Sequence, residues 1–87
     1  MSELLEHRLK RLRMRSMRRG IKEMDIILTR YAEVRLAAMD GGQLDEFEAL
    51  LNENDQDLYQ WVTGQMPAPA PFTGLVGDIA EIACSGK

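Results

Sequence analysis

Arg18-Arg19-Gly20-Ile21-Lys22-Glu23-Met24-Asp25 joins two helical patterns, and the reading of this run decides the fold. Before it, apolar residues recur at Leu5, Leu9 and Leu12; after it they recur at Ile21, Met24, Leu28 and Tyr31, again at helical spacing. Gly20 is the expected joint, because a glycine just past a helix end can turn left-handed without a side-chain clash. Two helices bent there would leave Arg19 and Glu23 close to the joint on the outside. A purely structural role is open to these charges. Cations in the last turn of one helix and acids in the first turn of the next complement the helix dipoles, at about 0.3–1 kcal/mol each.

Working outward, Ser2 is the expected N-cap of a first helix over residues 3–17, with Glu3 in its first turn and Leu5, Leu9, Leu12 and Met17 on or near one face. A second helix is predicted over 21–39. Ile21, Met24, Leu28, Tyr31 and Arg35 trace its stripe, and Ile27, Val34 and Ala38 widen it. Asp40-Gly41-Gly42 should end that helix, and Leu44, Phe47, Leu50 and Leu51 give a short third helix over 43–51. Asn52-Glu53-Asn54 reads as a turn, with Asn54 capping a fourth helix whose apolar face is Leu58, Trp61 and Val62 and whose stop is Gly64. Trp61 is expected in the core.

Residues 66–71, Met-Pro-Ala-Pro-Ala-Pro, form a stiff extended connector. Helical spacing returns at Phe72, Leu75, Val76, Ile79, Ile82 and Ala83, which predicts a C-terminal helix over 72–84. Gly74 and Gly77 weaken it by about 1 kcal/mol each relative to alanine, so it depends on tertiary contact. Residues 85–87 should fray. The prediction is an all-α, single-domain bundle of about five helices spanning 1–87.

A chain of 87 residues buries only about 60% of its unfolded surface, enough for one modest core. Its 45% hydrophobic content favours folding over disorder, with marginal stability in the absence of a partner. No apolar run approaches the ~18 residues of a membrane span. The sole cysteine, Cys84, cannot form an internal disulfide, which fits a reducing compartment and a cytoplasmic setting; it reads as a small buried hydrophobe. His7 stands alone, so a metal site would have to be built almost wholly from carboxylates, and none is assigned. With no glycine-rich phosphate loop and no base beside a hydroxyl, no catalytic residue or cofactor site is expected, and the chain reads as a non-enzyme.

Residues 8–22 carry only positive charge, whereas from residue 23 to 57 only Arg30 and Arg35 interrupt the acids. Such a helix could enter a DNA groove, lie on an anionic membrane, or act as a targeting peptide. Glu3 and Glu6 argue against targeting. A net charge of −3 and the lack of aromatics among the basic residues argue against nucleic acid. Two readings are left: a solvated face paired in part with the acidic half, or a docking face for an acidic protein.

The corner also carries a resemblance. Arg19, Gly20 and Glu23 form an Arg-Gly-x-x-Glu pattern followed by Asp25, and Asp55-Gln56-Asp57-Leu58-Tyr59-Gln60-Trp61, preceded by Leu50-Leu51, matches an Asp-x-Asp-Leu-x-x-Trp segment. With this spacing and chain length, residues 8–67 resemble the succinate dehydrogenase assembly factor family, the SdhE-type flavinylation factors. The resemblance implies an assembly chaperone that binds the flavoprotein subunit of succinate dehydrogenase and promotes covalent FAD attachment, with the related fumarate reductase flavoprotein as a second client. The chemistry would belong to client and flavin.

Carried onto this chain, the resemblance makes Arg19, Gly20 and Glu23 the client-contacting motif, flanked by Arg18 and Asp25. Arg19 would clasp a client carboxylate, Glu23 would accept from an arginine or amide, and Gly20 would let two backbones approach. The alternative class is a small helical partner-binding regulator of antitoxin type, with a nucleic-acid binder third.

Overall fold

Met24, Leu28 and Tyr31, spaced by single helical turns, are each at most 2% exposed and mark the buried axis of the molecule. They belong to α2, Lys22–Arg35, in a computed structural model that describes residues 4–84. α1 spans Leu5–Ser16, α3 Gly41–Leu51, α4 Asp55–Val62 and α5 Thr73–Ile79; no strand occurs among the described residues. A 3-10 turn, Leu36–Ala38, extends α2, another, Ala70–Phe72, leads into α5, and a π-helical turn, Ala80–Cys84, continues it. The expected Ser2 cap, Glu3, the fraying of residues 85–87 and the burial of the Cys84 side chain lie outside the described residues.

α2 is central because it packs against α1, α4, α5 and the π turn. Leu12 of α1, Leu36, the four apolar residues Leu44, Phe47, Leu50 and Leu51 of α3, Leu58 and Val62 of α4, and Leu75, Val76 and Ile79 of α5 complete one hydrophobic cluster around it. Tyr31 and Phe47 meet there with ring centroids 5.8 Å apart. The stripe of α2 is narrower than its composition suggests. Ile27 and Ala32 are buried, but Val34 is 56% exposed and Ala38 lies on the surface.

Caps set the helix ends. The Asp40 carboxylate accepts from the Gln43 backbone N–H at 2.8 Å, while the Gln43 side chain accepts from the Asp40 N–H at 2.9 Å. This reciprocal pair satisfies two otherwise orphaned donors and draws Gly41 and Gly42 into the first turn of α3, which therefore starts two residues earlier than the glycine pair implies. Asn54 accepts from the Gln56 N–H at 2.7 Å to start α4, and Gly64, with φ of 84°, closes its far end.

Apolar assignments in α1 and α4 change as well. In α1 the buried residues are Leu12 and Ser16, while Leu5 and Met17 are 63% and 38% exposed. Ser16 tolerates burial because its hydroxyl donates to the Leu12 carbonyl at 2.9 Å. Trp61 is half-buried at the rim of the core, stacked on Phe72 with centroids 6.1 Å apart. The proline-rich connector delivers Phe72 to that position.

Candidate functional site

α1 ends at Ser16 because Met17 turns extended, with φ of −100° and ψ of 168°. The left-handed residue of the corner is then Arg18, with φ of 57°, and not Gly20. The Asp25 carboxylate explains the difference: it accepts the Arg18 backbone N–H at 2.7 Å and holds the chain in this turn from the first turn of α2. Asp25 is thus engaged within the fold, whereas the Arg18 side chain is exposed.

Arg19 turns inward. Its Nε and Nη2 lie 2.8 and 2.7 Å from Asp55 Oδ1, its Nη1 donates to the Arg15 carbonyl at 2.8 Å, and Nη2 also reaches the Leu51 carbonyl at 3.1 Å. The two side chains are 11% and 18% exposed, so the guanidinium is already saturated by the end of α1, the end of α3 and the start of α4. The expectation that Arg19 stands on the outside, free to clasp a foreign carboxylate, is not met in this structure.

Gly20 completes the clamp. Its N–H donates to Asp55 Oδ2 at 2.7 Å, so both oxygens of one carboxylate grip adjacent residues of the corner. A Cβ on Gly20 would come within 3.2 Å of that same oxygen. The close approach that requires glycine here is therefore internal, between the corner and Asp55.

Glu23 faces the other way. It is exposed and has no hydrogen bond or ion pair among the described residues. Together with Ile21 it lines a groove of about 400 Å³ whose opposite wall is Gln56, Tyr59, Gln60 and Gln65. Of the motif residues, then, Arg19, Gly20 and Asp25 are held within the fold while Glu23 presents its charge to a groove. The groove residues of α4 and its exit were not among the expected contact residues. The signal for them was the Asp-x-Asp-Leu-x-x-Trp segment, which contains Asp55, Gln56, Tyr59 and Gln60.

The basic face of α1 is largely matched by α3. Arg8 reaches Asp45 at 2.6 Å and Glu48 at 3.1 Å, Arg11 reaches Glu48 at 2.8 Å, and Arg15 donates to Asn52 at 2.6 Å. Hydrogen bonds from Arg11, joined by those from Arg8 and opposed by burial, hold the Glu48 carboxyl below its ordinary value of 4.5. Lys10, Arg13 and Lys22 are exposed. A second cleft, about 370 Å³, includes none of the corner residues; in it Tyr31 donates to Asp78 at 2.7 Å, and Arg35 sits 3.3 Å from the same carboxylate oxygen.

A clamped turn, an unpaired carboxylate and a row of carboxamides thus lie side by side on a small all-α protein. No three His, Cys, Asp or Glu side chains gather as a metal site among the described residues. The chain belongs to the family described as the flavinator of succinate dehydrogenase, whose profile matches residues 10–83. It is 38% identical over 81 residues to the mitochondrial succinate dehydrogenase assembly factor 2 of Danio rerio, covering 91% of this chain and 51% of that protein. The proteins of the same name from Candida glabrata and Aspergillus terreus are 44% and 46% identical over 62 and 57 residues, covering 71% and 66% of this chain but 40% and 19% of their own lengths. The chain thus spans about half or less of these relatives.

Proposed function

We propose that this chain is an assembly factor that docks on the flavoprotein subunit of succinate dehydrogenase and promotes covalent attachment of FAD, contributing no catalytic group of its own. The observation that carries the reading is family membership over residues 10–83, a span that takes in the whole corner and the α4 segment clamped to it. Flavin and client supply the chemistry; the factor holds the client in a competent arrangement. Arg19, Gly20 and Glu23 remain the residues on which client contact depends, with Arg18 and Asp25 beside them. Glu23 acts directly. Arg19 and Gly20 act by fixing the turn from which α2 starts.

The names of the relatives mention succinate dehydrogenase alone, so fumarate reductase is not carried forward as a client. Those names are also mitochondrial, against a cytoplasmic setting read from one cysteine. Among the described residues no helix is long and apolar enough to cross a membrane, and the compartment assigned is whichever holds the flavoprotein before assembly. Pairing of Arg8 and Arg11 with Asp45 and Glu48 takes cations away from phosphates and speaks against a nucleic-acid role.

The test is coexpression of Arg19→Ala, Glu23→Ala and Gly20→Glu variants with the flavoprotein subunit, covalent flavin being followed by in-gel fluorescence beside a thermal melt of each variant. Folded variants should give less covalent flavin. Wild-type flavinylation by all three would overturn the assignment.

A further inference from the structure

Resting on the function just proposed, we infer that the groove between the start of α2 and the outer face of α4 seats an extended segment of the client that carries a cationic side chain. Among the described residues, Glu23 is the only formally charged one lining it, and its side chain has no partner there. A cation from the partner would give that carboxylate the charge-assisted hydrogen bonds it lacks. Gln56, Gln60 and Gln65 each offer an N–H donor and a carbonyl acceptor, the complement of a peptide backbone presenting both in alternation. Ile21 and the Tyr59 ring supply apolar surface for the aliphatic stem of an arginine or lysine. A volume of about 400 Å³ lies within the range of specific ligand sites.

The clamp sets this groove. One wall begins directly after Gly20, the other directly after Asp55, and the Asp55 carboxylate joins those two points through Gly20 N–H and Arg19. Arg19 and Asp55 are therefore positioning residues for the groove, and Glu23 is its contact residue. Loss of either positioning residue should reach the client through the spacing of the walls.

A photo-crosslinking amino acid placed at Gln60, with Lys10 on α1 as the comparison position, tests this in the full chain mixed with the flavoprotein subunit. Capture of the flavoprotein from position 60, on a peptide containing arginine or lysine, is expected. Glu23→Gln should weaken binding about tenfold. Asp55→Asn should lower capture from position 60 in a variant that retains its helical circular dichroism. Capture from position 10 alone, or of a segment without a cation, would overturn the groove while leaving the flavoprotein as client. Absence of any complex, by capture or by copurification, would overturn the proposed function and the groove with it.

Discussion

Arg18 holds a left-handed backbone that costs an L-residue about 1–2 kcal/mol, and glycine would hold it without that clash. Arg18→Gly is accordingly expected to raise stability by about 1 kcal/mol, read as a higher melting temperature, and an unchanged or lower one would refute the strain. Next to it, Arg19→Ala and Asp55→Ala should each cost about 1.5–3 kcal/mol, the scale of hydrogen bonds to charged groups. The double variant should cost little more than either, since both remove one clamp; full additivity in denaturant melts would show that the pair does not act as a unit. The sequence marked Arg19 and Asp55 but did not join them. They lie 36 positions apart, and each has a sufficient local role, one near a helix C-terminus and the other at a helix N-terminus. Tyr31 is the other residue with a distinct signature. Burial first, and then its bond to Asp78, push its phenol up from 10.0. A raised value means that the folded state favours the neutral phenol, so the stability it contributes is present below pH about 10 and declines as pH rises beyond it. Tyr31→Phe should flatten the alkaline fall in melting temperature.

Helix existence was legible in apolar spacing, turn residues and caps, while helix faces were less so. α1 contains leucines and arginines around much of its circumference, and which arc turns inward depends on what α3 presents. Asp45, Glu48 and Asn52 draw Arg8, Arg11 and Arg15 to that side, leaving Leu5 and Met17 in solvent. The same pairing predicts how α1 responds to acid. Because the Glu48 carboxyl is held below 4.5 in the folded chain, its contribution is present above that value and is lost as pH falls through the lower folded one. Hydrogen-exchange protection factors in α1, corrected for the intrinsic pH dependence of exchange, should therefore fall on acidification more than those in α2, and Glu48→Gln should remove much of the difference. At the rim, Trp61 is only half-buried, so Trp61→Ala should cost less than the roughly 3–5 kcal/mol of a fully buried tryptophan. Here too the spacing named the face, but the depth was set by Phe72, delivered by a connector whose path no periodicity describes.

For the molecule as a whole, a core this small makes partner binding a visible part of stability. A saturating flavoprotein subunit at about 100 times its dissociation constant should add about 2.7 kcal/mol and raise the melting temperature by several degrees. Glu23→Gln should diminish that increment without changing the free protein, a separation measurable by differential scanning fluorimetry. One feature of the corner also bears on timing. The carboxylate that fixes Gly20 comes 35 residues later in the chain, at the start of α4. During synthesis the helices on either side of the corner emerge first and Asp25 can already hold Arg18, yet Gly20 and the Arg19 guanidinium lack their Asp55 partner until α4 has emerged and folded back. Ribosome-stalled chains exposing residues through Leu51 are thus expected to ignore the flavoprotein, and those exposing α4 to capture it. A client would then engage only chains whose corner Asp55 has fastened, so a translation product interrupted before α4 could not occupy it unproductively.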